Sequence, residues 1–173
     1  MAMKPLVALF VLMVLPVLPA HAEWRLESGA AFAEPSETNS NIVGISFLCG
    51  DPVQFEIYTD SGPVLPKSGG GEADYFYMPG RVEAEIDGIY FPLVAAGSGD
   101  AVVMFGEGVA ADNYMAELPP ELMQALSKGM TLTIGFDVTP EPNEETDSQF
   151  ETFARFSLAG AASALEGALK DCR

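Results

Sequence analysis

Apolar and polar residues alternate along most of the chain, the period-two signature of strands with one buried face. Residues 53–59 show it most clearly, with Val53, Phe55 and Ile57 on one side and Gln54, Glu56 and Tyr58 on the other. Residues 42–49 form a β-rich run just before them, and Gly50-Asp51-Pro52 supplies the turn for a tight hairpin. A second hairpin is predicted where residues 81–86 and 89–94 flank Asp87-Gly88, a pair that favours a type I′ turn. Further strands are expected over residues 101–105, 130–138 and 150–158. In the last of these, Phe150, Thr152, Ala154 and Phe156 share one side. Residues 23–27, where Trp24 and Leu26 alternate with polar neighbours, predict an edge strand. The stretches 33–41, 60–74 and 139–149 are rich in Gly, Pro, Ser, Asn or acidic residues and predict loops.

Two segments change to helical spacing. PELMQALSKG is entered through Pro119-Pro120, has Glu121 in its first turn and closes on Lys128-Gly129, with Leu122 and Leu126 on one face. Residues 161–170 predict an alanine-rich helix whose Leu165, Leu169 and Cys172 face the sheet. Strands joined by short turns pair antiparallel. The expected fold is mainly β (α+β): an antiparallel sandwich or sheet of about seven to eight strands, with a short internal helix and a C-terminal helix packed on it.

Residues 1–22 stand apart from this pattern. Lys4 gives a positive start, residues 6–18 are apolar, and Ala20-His21-Ala22 is a small-x-small cleavage motif. They predict a secretory leader cut near Ala22-Glu23, a periplasmic or secreted product, and a single domain over residues 23–173. The apolar run is shorter than the about 20 residues that a membrane-crossing helix needs, and no later run reaches that length. No membrane span is therefore expected. In an oxidising compartment an even pair of cysteines closes within the chain. Cys49 and Cys172, 123 positions apart, predict one structural disulfide, since thiol pairs that bind metal or react sit closer together.

Cleavage also removes His21, the sole histidine. The domain then lacks the usual general base, the commonest zinc ligand and the centre of a Ser-His-Asp arrangement. Gly97-Ser98-Gly99 lacks the flanks of a nucleophile elbow, and Gly69-Gly70-Gly71 lacks the strand and helix that make a phosphate loop. The formal charge is −17, and loss of the leader removes Lys4 without removing an acid. Such a surface disfavours nucleic acid, whose binding needs Lys and Arg on phosphates, and favours a basic protein surface as partner. Oligomeric state is left open by these features.

Three constellations could carry more specific roles. Tyr75, Phe76 and Tyr77 concentrate aromatic surface suited to a partner contact. Glu83 and Glu85 alternate on one strand face, the pairing a carboxylate-dependent glycan hydrolase would use. Glu141, Glu144, Glu145 and Asp147 offer hard oxygen ligands to calcium, without the spacing of the helix-flanked calcium loop.

Residues 156–172, FSLAGAASALEGALKDC, resemble the closing stretch of small exported proteobacterial proteins of the invasion-associated locus B type. Trp24, Cys49, Phe156, Leu158, Gly160, Ala164, Leu165, Leu169 and Cys172 carry the likeness, which covers the two ends of the domain. Members of that secreted β-rich family, tied to host-cell association, carry further early cysteines that this chain lacks. The resemblance implies a disulfide, a β-rich fold and no catalytic motif, and it transfers no functional site. The expected function is a non-catalytic exported accessory or binding protein of the bacterial cell envelope, without a cofactor. A glycan hydrolase and a calcium-stabilised module are the alternatives.

Overall fold

A computed structural model of the chain describes residues 24–71, 75–98, 101–108, 116–143 and 147–172. The leader, with its cleavage site, lies outside the described residues, as do Gly99, Glu144 and Glu145. Among the described residues ten strands form one antiparallel sheet: β1 Arg25–Glu27, β2 Ala30–Ala33, β3 Glu37–Thr38, β4 Ile42–Leu48, β5 Gln54–Thr59, β6 Val82–Ile86, β7 Ile89–Ser98, β8 Ala101–Gly106, β9 Thr131–Phe136 and β10 Thr152–Ser157. Two α-helices accompany it, α1 Pro120–Lys128 and α2 Ala161–Leu169, with a 3₁₀ turn at Tyr75–Tyr77. The class matches the expectation from the sequence.

The strand order is β1-β2-β4-β5-β8-β7-β6-β9-β10-β3. β2 and β3 are neighbours in sequence yet stand near opposite ends of this order. Laid flat, eight strand spacings of about 4.8 Å would separate them by about 38 Å. The chain from Ala33 to Glu37 reaches at most about 14 Å. The sheet must therefore curl until its ends meet. Counting β2 and β3 as one bent strand, and setting β1 aside as a hairpin partner, the wall has eight strands.

The seam where the ends meet is built by backbone and side-chain bonds together. Ser36 N donates to Arg155 O at 2.8 Å, and Thr38 Oγ1 donates to Phe153 O at 2.7 Å. Asn39 acts as a two-way clip: its Nδ2 donates to Glu151 O at 2.8 Å and its Oδ1 accepts from Phe153 N at 2.7 Å. Farther along β10, Trp24 Nε1 donates to Ser157 O at 2.7 Å while the indole packs on Phe47. The loop expected over residues 33–41 is thus a correction. Polar residues there complete the ladder, so the stretch carries no apolar alternation to read.

Elsewhere the pattern translates directly. The buried positions of β5, β6 and β8 alternate without a break. Leu48 pairs with Gln54 across the first hairpin, and Ile86 with Ile89 across the second. Asp87 at φ 50° and Gly88 at φ 85° have the two positive angles that a type I′ turn requires. β7 runs to Ser98, past the expected end at Val94, because it pairs with β8 as well as with β6. On the outer face Phe32 lies across Gly44, where an added Cβ would come within 2.5 Å of the ring.

One apolar core gathers the inner face of the sheet and both helices. Phe47 stacks on Phe55 at 4.3 Å, and Phe76 meets Phe136 edge-on at 5.5 Å. α1 buries Leu122 and Leu126, as its spacing predicts. α2 buries Ala161, Ala164, Leu165 and Ala168, so its inward face is centred on small residues, and Leu169 is only half-buried. Small side chains let this helix lie close on β1, β2 and β4. Cys49 and Cys172 are bonded, with Cα atoms 5.2 Å apart, and tie the end of α2 to the end of β4.

Asn39→Ala removes both bonds of the clip and should lower the unfolding free energy by about 1–3 kcal/mol in urea denaturation. The paired change Cys49→Ala with Cys172→Ala should cost about 2–5 kcal/mol in the same measurement.

Candidate functional site

The aromatic stretch beside the glycine-rich loop does not form an open patch. Successive residues of a 3₁₀ turn point about 120° apart, and Phe76 points inward, fully buried, against Tyr77 at 4.1 Å and Phe136. Phe76 cannot serve as the partner contact expected of it. Tyr75 and Tyr77 are half-buried, Tyr75 beneath the Arg81 guanidinium at 4.3 Å and Tyr77 with its hydroxyl over Gly97.

Arg81 belongs to a repeated arrangement. It is paired with Asp137 and lies over Tyr75. Arg25 pairs with Glu27 at 2.9 Å and Glu34 at 3.0 Å and lies over Phe32 at 4.3 Å. Arg155 pairs with Glu37 and lies 5.5 Å from Phe153. Each described arginine is thus held between a carboxylate and a ring, which satisfies both its charge and its flat face. Asp137 is the buried member of this set. Burial raises its pKa, and the Arg81 guanidinium pulls the other way. By contrast, Asp51, Glu117, Glu121, Glu166 and Asp171 are exposed, and among the described residues none of them has an ion-pair partner.

Glu83 and Glu85 project from the outer face of β6. Glu85 Oε1 accepts from Gly88 N at 2.9 Å and braces the turn. Burial raises the Glu83 pKa, and the Glu85 charge adds to the rise. Neither residue lines a described cleft. One cleft of about 230 Å³ includes Asp51, Glu117, Met123 and Cys172. Another of about 340 Å³ includes Arg25, Phe32, Ser46 and Tyr58. In the latter the Tyr58 hydroxyl donates to Glu56 at 2.5 Å, and burial raises its pKa.

In the acidic loop, Glu141 and Asp147 are exposed, and Asp147 N donates to Asn143 O at 2.8 Å to close a turn. Among the described residues no three acids, cysteines or histidines gather with the geometry of a metal site.

Sequence reasoning passed over three exposed apolar residues near the second hairpin turn. Ile89, Tyr90 and Met130 are 59%, 62% and 75% exposed. Asp87 ties the start of β9 to the turn before Ile89, because its carboxylate accepts from Met130 N at 2.9 Å and Thr131 N at 3.1 Å. The hairpin signature located the turn, but the tie from that turn to Met130 spans 43 positions and leaves no local trace.

A folded state that raises an acid's pKa binds its proton more tightly than the unfolded chain does. Stability from Glu83 is then full below the ordinary glutamate value and is lost as pH rises through the raised one. Wild type should therefore lose unfolding free energy relative to Glu83→Gln as pH rises from about 3 to about 7. Denaturation series at stepped pH give the readout, and Glu85→Gln should shrink the difference.

Comparison with protein-family models, curated proteins and solved structures finds no match to this chain, so its function is argued from its own geometry.

Proposed function

We propose that this chain is a non-catalytic exported accessory or binding protein of the bacterial cell envelope that contacts a basic surface on another protein. One observation carries the reading: the described arginines are each neutralised in place, while exposed carboxylates stand without partners. Acids outnumber basic residues 25 to 8, so the field reaching solvent is that of the acids. The leader-like first 22 residues support release into the periplasm or beyond the cell. The resemblance to the invasion-associated locus B type, through Trp24, Cys49 and Cys172 among others, belongs to the same proposal.

A partner recovered by in-cell crosslinking should be reproducible and basic at its contact face. Its association rate with the purified protein, followed by stopped flow, should fall at least about tenfold between about 0.02 and 0.5 M salt. A rate indifferent to salt, or repeated recovery of no partner, would sink the proposal.

A further inference from the structure

The outer face of the sheet carries a dent where β1, β2, β4 and β5 lie side by side. Residues opposite one another in an antiparallel ladder share a face. The ladders set Arg25 opposite Phe32, Phe32 opposite Ser46, Ser46 opposite Glu56 and Gly44 opposite Tyr58. Ala31, Ile45 and Ile57, the residues between them along the strands, fill the core, so this set faces outward. The small Ala30 and Ser46 stand among longer side chains and leave the cleft of about 340 Å³. The members also touch. The Phe32 and Tyr58 ring centroids are 6.2 Å apart, the Ser46 and Tyr58 hydroxyls are 3.2 Å apart, and the Tyr58 hydroxyl donates to Glu56 at 2.5 Å.

Charge and shape define what the cleft takes. Arg25 is one positive charge among the three negative charges of Glu27, Glu34 and Glu56, and its guanidinium is already bonded to the first two. Among the described residues no cation pairs with Glu56, and none lies over the Tyr58 ring. A ring beside a carboxylate is the seat on which this chain holds Arg25, Arg81 and Arg155. Tyr58 and Glu56 present the same seat to a cation from outside. Ala30, Leu48 and Phe32 add an apolar wall along which the methylenes of a long side chain can lie.

We propose that this cleft binds an arginine side chain of the partner protein, with the guanidinium over the Tyr58 ring and hydrogen-bonded to Glu56. The proposal rests on the basic-partner reading and adds the residue recognised and its place. An anionic ligand would meet the three carboxylates, and the compact ammonium of lysine lacks the flat face that covers a ring. Tyr90 also stands opposite a carboxylate, Glu85, but that ring is 62% exposed and Glu85 is engaged by Gly88 N.

Two fluorescent peptides of equal length and charge test it, one alternating Arg with Ser and the other Lys with Ser. Fluorescence anisotropy against the intact protein should show the Arg/Ser peptide binding about threefold tighter or more. Tyr58→Leu should weaken that binding about three- to thirtyfold, and Glu56→Gln about tenfold. Tyr58→Phe, which keeps the ring, should retain the preference for arginine. Glu83→Gln and Tyr90→Leu, an acid and a ring elsewhere on the surface, should also leave it intact. Melting curves should show the variants folded, and the near-isosteric Glu56→Gln decides the matter if Tyr58→Leu is not. Equal binding of the two peptides, or equal weakening by the Glu83 and Tyr90 variants, would overturn the arginine seat and leave the basic-partner reading standing. Binding of neither peptide would overturn both readings.

Discussion

Closure of the sheet through residues 30–38 is the constraint on which the rest depends. This stretch pairs with β4 through its first half and with β10 through its second. With both ladders made, no long edge remains open, and every wall strand presents one face to a shared interior. Eight strands give a bore that side chains alone can fill. Phe47, Phe55, Phe76, Phe136 and Phe156 fill it, all nearly without exposure.

The filled bore leaves the outside and the ends as the surfaces that meet solvent. It also explains the placement of charge. On the outer face, arginines lie over Phe32, Tyr75 and Phe153 and bind carboxylates on neighbouring strands or loops. These pairs knit adjacent segments together across the surface and hold the described arginines in place. The disulfide acts on the same problem at another place. It holds the end of α2, whose alanine face offers little bulk for packing, against the strand that carries Cys49.

Elements with local signatures were legible from residues alone. The Asp87-Gly88 turn, the proline entry of α1 and the alternation of β5, β6 and β10 each express forces that act within a few residues. The closing stretch was not legible. Ala30, Ala31 and Ala33 are weak strand formers, and Thr38 and Asn39 look like loop residues until their partners more than 100 positions away are known. The candidate site divided in the same way. Three adjacent aromatics suggested a patch, but the turn geometry at Tyr75–Tyr77 sends the middle one inward. Ile89 and Met130 looked like ordinary strand residues, but Ile89 pairs at the last rung beside the turn and Met130 precedes β9, and both are left in solvent.

What the sequence by itself determined was the inventory: strands of alternating pattern, two helices, a pair of cysteines able to bond, and a strong excess of acid. Periodicity, capping and net charge are properties of short windows or of sums, and neither needs coordinates. Only the tertiary structure decided that the sheet closes, that the described arginines are each paired with a carboxylate, and that Met130 is tied to the Asp87 turn. Those outcomes depend on which distant groups come within hydrogen-bonding or packing distance, and the order of residues along the chain does not record such distances.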